Sequence, residues 1–152
     1  MSAVRTTAAA LIAALVVLVS GPAVADEASE KLASLEKRLQ RLEDANEVEI
    51  VQRTYGYFVD KAMWAEVADL FAESGTYEIG GRGIFVGPKR VLEYLRVGLG
   101  TERPVEGRLI NHMQFQPIVT VNEGGKTASL RMKALVMSSG GWGDVIYENR
   151  YV

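Results

Sequence analysis

The chain has no cysteine, and His112 is its one histidine among 152 residues. Without thiols there is no disulfide framework and no lipid-bearing cysteine, so the fold rests on its core. One imidazole and scattered carboxylates do not make a zinc or iron-sulfur ligand set, so neither a metal nor a cofactor is expected. A basic run interleaved with aromatics is also lacking, and the formal charge is −2, which argues against a nucleic-acid partner. No apolar run reaches the roughly 20 residues of a membrane span. The run from Ala8 to Val19 breaks at Ser20-Gly21-Pro22. With Arg5 before it and Ala23-Val24-Ala25 after it, it has the three parts of a secretory signal. Residues 1–25 are therefore expected to be a cleaved signal peptide, giving a periplasmic or secreted protein with no stable membrane anchor.

What remains, 127 of the 152 residues, suffices for one domain with one core. Within residues 26–45, Leu32, Leu35, Leu39 and Leu42 follow a heptad seam on a charged helix. About two heptads leave two readings open: a coiled-coil-like contact that makes a homo-oligomer, or a helix packed on its own domain. Asn46, with Glu49 three residues on, resembles a capping box and predicts that a new helix starts there. Val48, Val51, Tyr55, Phe58 and Val59 then recur at helical spacing. Tyr55 and Asp60 lie about 140° apart around an ideal helix, so they border one cavity only if the helix ends near Asp60. A shorter helix with Trp64, Val67, Ala68 and Phe71 follows, stopped by Ser74-Gly75.

After Gly75 the pattern changes to strands. Thr76–Ile79 and Gly83–Val86 around Gly80-Gly81-Arg82 read as a hairpin; the glycines only superficially resemble a phosphate loop, which needs a strand-to-helix setting. Gly87-Pro88 opens a third helix with Val91, Leu92, Leu95 and Leu99 on its buried side. Three long β segments follow: Arg108 to Val121, Thr127 to Met137 and Asp144 to Val152, the first two joined by a turn at Asn122-Glu123-Gly124-Gly125. Pro117 cannot donate to a ladder, so a bulge near Gln116 is expected. Helices first and antiparallel strands after them predict an α+β domain with its helices on one face of a curved sheet.

The segments VQRTYGYFVDKAMWAEVADLF, TYEIGGRGIFVG, INHMQFQPIVTV and TASLRMKALVM together resemble the SnoaL-like branch of the nuclear-transport-factor-2-like superfamily. The resemblance covers residues 46–152. It implies a cone-shaped barrel with three helices over a strongly bent antiparallel sheet and a deep apolar pocket between them. Relatives continue into a final strand, so the last strand is expected to be missing here. The superfamily includes cofactor-free lyases, dehydratases, isomerases and hydrolases, alongside binding proteins. By position, a dehydratase-like tyrosine, aspartate and histidine would be Tyr55, Asp60 and His112. Arg131-Met132-Lys133 lacks the strand aspartate of the epoxide hydrolases, and Ile79 stands where ketosteroid isomerases carry their base.

Histidine titrates nearest neutral pH, so His112 is the expected proton carrier, with Asp60 fixing its ring and Tyr55 polarising a substrate oxygen. Each also has a structural reading: a core histidine, a helix-end carboxylate, and an amphipathic core tyrosine. Trp64, Tyr77, Phe85, Phe115, Met132 and Tyr147 are the expected pocket lining. Two function classes follow: a lyase of dehydratase or retro-aldol type acting on an aromatic or polycyclic alcohol, or a non-catalytic module of the same fold that binds a small hydrophobic molecule or serves assembly.

Overall fold

The computed structural model describes residues 22–152. The expected signal peptide falls mostly outside these residues. No helix among the described residues is long and apolar enough to cross a membrane.

The first element, α1, is a helix spanning Pro22–Asp60 without interruption. The fresh start expected at Asn46 does not occur. Asparagine inside a helix costs only a few tenths of a kcal/mol, and the helix-favouring Glu43, Glu47 and Glu49 around it carry the turn through. Contacts divide the chain into two units, residues 1–42 and 43–152. In the first unit Leu32, Leu35, Leu39 and Leu42 are exposed, at 48 to 69%. They form an apolar stripe in solvent.

In the second unit α1 ends in a Schellman-type stop. Met63 N–H reaches Phe58 O at 2.9 Å, and Ala62 N–H reaches Val59 O at 3.0 Å, with Ala62 at φ 53°. A short helix α2 (Trp64–Asp69), a hairpin of β1 (Thr76–Ile79) and β2 (Gly83–Val86), and helix α3 (Gly87–Gly98) follow. Pro88 sits in the first turn of α3, where its missing N–H is no loss. Val59, Trp64, Val67, Ala68, Val91 and Leu95 are buried together and bind these pieces into one apolar cluster.

The rest is a three-stranded antiparallel sheet in the order β3-β4-β5, with β3 Ile110–Val121, β4 Ala128–Ser138 and β5 Gly141–Tyr151. Ala128, Leu130, Met132 and Ala134 alternate inward along β4. A second cluster forms where Val48 of α1 meets Ala128, Leu130 and Met132. The bulge expected near Gln116 is present: the register slips between Phe115 and Ile118, with Gln116 at φ 55°.

The architecture is thus α+β with antiparallel pairing throughout, but the expected single barrel sheet is not closed. β1-β2 and β3-β4-β5 are two separate sheets among the described residues. The two are joined by side chains rather than by a backbone ladder.

Candidate functional site

Because α1 stops where it does, Asp60 lies at its last turn and reaches the start of β3. There its carboxylate takes three contacts from one residue. The backbone N–H of His112 lies 3.1 Å from both Asp60 oxygens, and His112 Nδ1 lies 2.6 Å from Oδ1. A carboxylate oxygen accepts, so Nδ1 donates in this contact and Nε2 is the ring nitrogen left for a substrate. Both side chains are 17% exposed, shielded enough for the pair to matter and open enough to be approached.

Neighbouring strands complete the setting. His112 pairs with Val136 of β4, which pairs with Gly143 of β5. A side chain added at Gly143 would meet nothing within 4 Å, so this end of the inner face is uncovered.

One turn and a half back along α1, Tyr55 joins the two sheets. Its hydroxyl hydrogen-bonds that of Tyr77 on β1 at 2.8 Å. Its ring meets Tyr77 and Tyr147 edge-on, at centroid distances of 6.4 and 5.9 Å. Burial, reinforced by Tyr77 and Tyr147, pushes the Tyr55 hydroxyl well above the usual phenol range. Tyr77 and Tyr147 are raised too, again mainly by burial. Repulsion from Asp60 adds to the rise at Tyr147. All three phenols are therefore held as proton donors, the form that can stabilise a developing oxyanion.

The remaining expected lining residues divide. Phe85 stacks on Tyr94 at 4.1 Å and closes the first cluster. Met132 is 1% exposed, beneath Tyr147 in the second cluster. Trp64 is buried and donates its indole N–H to Gly100 O at 3.0 Å. Phe115 does not line the site. Three positions from His112 on a strand of period two, it faces the outer side with Met113, and both are exposed. The deep apolar pocket walled by these aromatics is also not what is found. A recess of about 190 Å³ opens beside Asp60, and of the nine expected site residues only Asp60 and Trp64 contribute to its wall.

Two glutamines escaped the sequence reading. Gln52 on α1 is 1% exposed, and its Oε1 accepts from Asn149 Nδ2 at 2.6 Å and from the Tyr151 hydroxyl at 3.0 Å. Its Nε2 has no partner. Gln114, two residues beyond His112 on the same face, has a buried carboxamide with neither atom bonded to protein. It lies near enough to Tyr147 to lower that phenol slightly, without ordinary hydrogen-bond geometry. Opposite it stands Gly56, where an added Cβ would come within 2.7 Å of Gln114 Nε2. The signals available in sequence were a glycine inside a helix and a glutamine in phase with His112.

Comparison with solved structures supports the fold. An NTF2-like protein with a cystatin-like fold from Novosphingobium aromaticivorans is 27% identical, with a TM-score of 0.62, over 78% of this chain and 77% of that one. A candidate scytalone dehydratase from the same organism matches at 18% identity and TM-score 0.55, over 74% of this chain and 72% of its own. A protein from Catenulispora acidiphila in complex with S-DNPA matches at 19% identity and TM-score 0.53, over 69% and 76%. A search among curated proteins gave no match. The family model of the SnoaL-like domain matches residues 40–152, most of the chain, which therefore belongs to the SnoaL-like family of the NTF2-like superfamily.

Proposed function

We propose that this chain is an exported, cofactor-free lyase that eliminates water from an aromatic or polycyclic alcohol, or cleaves a carbon–carbon bond in one by a retro-aldol step. The observation that carries the reading is the 2.6 Å contact between His112 Nδ1 and Asp60, which leaves Nε2 as the basic atom. In the dehydration, Nε2 takes a proton from carbon, and the freed electron pair forms the new double bond as the C–O bond breaks. The departing hydroxyl takes the proton back from the imidazolium and leaves as water. Tyr55 donates to the substrate oxygen on which charge develops, its own oxygen accepting from Tyr77, and Tyr147 borders the same space. The uncovered inner face at Gly143 gives room for a ring. General acid–base help of this type is worth about 10² to 10⁴-fold. The structural neighbour in complex with S-DNPA supports a bound small molecule in this fold.

A second reading rests on a different observation: the tyrosine hydroxyls are bonded to each other, and the recess beside Asp60 is not lined by Tyr55 or His112. On that reading the protein binds its guest without turnover. Screening the purified protein against phenolic and polycyclic alcohols decides between them. Turnover lost in His112→Ala and lowered in Tyr55→Phe supports the lyase; binding without turnover in the wild type overturns it. N-terminal sequencing of the exported protein tests the secretory route, with Asp26 as the expected first residue.

A further inference from the structure

The recess beside Asp60 has a chemistry that an aromatic alcohol alone does not use. Its wall mixes apolar side chains, Leu99, Val105 and Leu109, with the cationic Lys61, Arg103 and Arg108. Asp60 is the one carboxylate on its wall, and that group is already occupied by the ring and backbone N–H of His112. The nearest other acid in sequence, Glu102, is turned toward Arg96. Glu106, on the same loop, is exposed and is not part of the wall. Arg108 makes one long contact, 3.4 Å to Leu99 O, and neither Arg103 nor Lys61 has an acidic partner among the described residues. Three cations therefore border a recess whose one carboxylate, Asp60, is bound to His112. The loop bearing the arginines is tied down by the indole bond of Trp64 to Gly100 O.

We propose that this recess is a binding site for a carboxylate-bearing aromatic molecule, with the ring against Leu99, Val105 and Leu109 and the carboxylate held by Arg103 and Arg108, assisted by Lys61. Guanidinium groups bind carboxylates through paired, charge-assisted hydrogen bonds, and the apolar side chains select an aromatic acid over a small anion. The site deepens the lyase reading, on which it rests for its purpose, by assigning the substrate an acidic substituent that anchors it next to the Asp60–His112 pair. The binding itself requires no turnover.

The test uses the full chain and three probes near neutral pH: 2-naphthoate, neutral 2-naphthol, and acetate. Binding is followed by calorimetry and by the Trp64 indole N–H signal in NMR. The expected result is that 2-naphthoate binds at least about tenfold tighter than 2-naphthol and far tighter than acetate, shifts the Trp64 signal, and loses its advantage as salt rises. Arg103→Gln with Arg108→Gln removes the advantage, and Lys61→Gln reduces it. These side chains are exposed, so the variants fold. His112→Ala retains the preference, which separates this site from the lyase reading: turnover fails while the preference stands. Equal affinity for 2-naphthoate and 2-naphthol overturns the proposal, as does a preference that survives the double arginine substitution.

Discussion

Asp60 holds His112 at two points, by its ring Nδ1 at 2.6 Å and by its backbone N–H at 3.1 Å. A carboxylate that grips the main chain as well as the ring fixes the strand and the imidazole as one body. The cost of disturbing it therefore has two parts, one in rate and one in stability.

Replacing Asp60 by Asn separates these parts. The amide oxygen still accepts from one N–H, so the fold survives, but the charge that supports an imidazolium is lost and the ring is free to take the other tautomer. On any alcohol the protein turns over, kcat is expected to fall about 10² to 10⁴-fold with little change in KM. Asp60→Ala also leaves the His112 N–H unpaired, and is expected to cost about 1 to 3 kcal/mol in urea unfolding.

Stability is expected to fail at alkaline pH. Tyr55, Tyr77, Tyr147 and Tyr151 are all raised from their ordinary value of 10.0, each mainly by burial. An acid whose folded pKa lies above its unfolded one contributes full stability below the unfolded value. The contribution is lost as pH climbs from there toward the folded pKa, because only the unfolded chain sheds its proton. The free energy of unfolding is expected to be level up to about pH 9, then to drop by about 1.4 kcal/mol per pH unit for each phenol still protonated in the fold. Tyr147→Phe is expected to flatten that slope by one proton.

Gln114 keeps two buried polar atoms without partners. Substituting Met removes that desolvation at nearly the same volume, and the urea midpoint is expected to rise by an amount worth about 1 kcal/mol. Gly56→Ala is expected to gain a similar amount from helix propensity while pushing the Gln114 carboxamide aside. If Gln114 serves a guest molecule, both variants are more stable and bind it less well.

The exposed stripe of Leu32, Leu35, Leu39 and Leu42 is expected to drive self-association through a short coiled coil. Each leucine buried there contributes about 1.5 to 3 kcal/mol at most. Sedimentation is expected to show an oligomer that Leu35→Glu with Leu39→Glu converts to a monomer. An unchanged mass in that double variant assigns the stripe no such role.

The parts of this fold that were legible in sequence are those decided locally. Proline in the first turn of α3, the Asn122–Gly125 turn and the strict alternation in β4 each dictate their element whatever surrounds it. The pairing of Asp60 with His112 was expected from the family resemblance alone, since no local pattern links a helix end to a strand 52 positions on. Asn46 misled because a capping signal competes with helix continuation, and the difference is a few tenths of a kcal/mol. Phe115 could have been excluded by counting from His112, since odd and even positions on a strand oppose each other. The partners of Gln52 lie 97 and 99 positions away, and no local pattern announces them. The same holds for Tyr77, whose hydroxyl contact with Tyr55 depends on how the hairpin meets α1.

The bulge between Phe115 and Ile118 acts as a parity switch. Before it, even-numbered residues of β3 face inward, His112 opposite Val136 and Gln114 opposite Ala134; after it, odd-numbered ones do, Val119 opposite Leu130 and Val121 opposite Ala128. One extra residue thus lets a single strand carry two independent texts, a polar one near its start and an apolar one near its end. Deleting Gln116 would keep both halves in phase and lose only the bend, whereas straightening the strand with every residue kept would force one half out of phase. With the apolar half in place, Met113 and Phe115 would then turn inward and His112 would turn to solvent, leaving the architecture standing and its chemistry inside out.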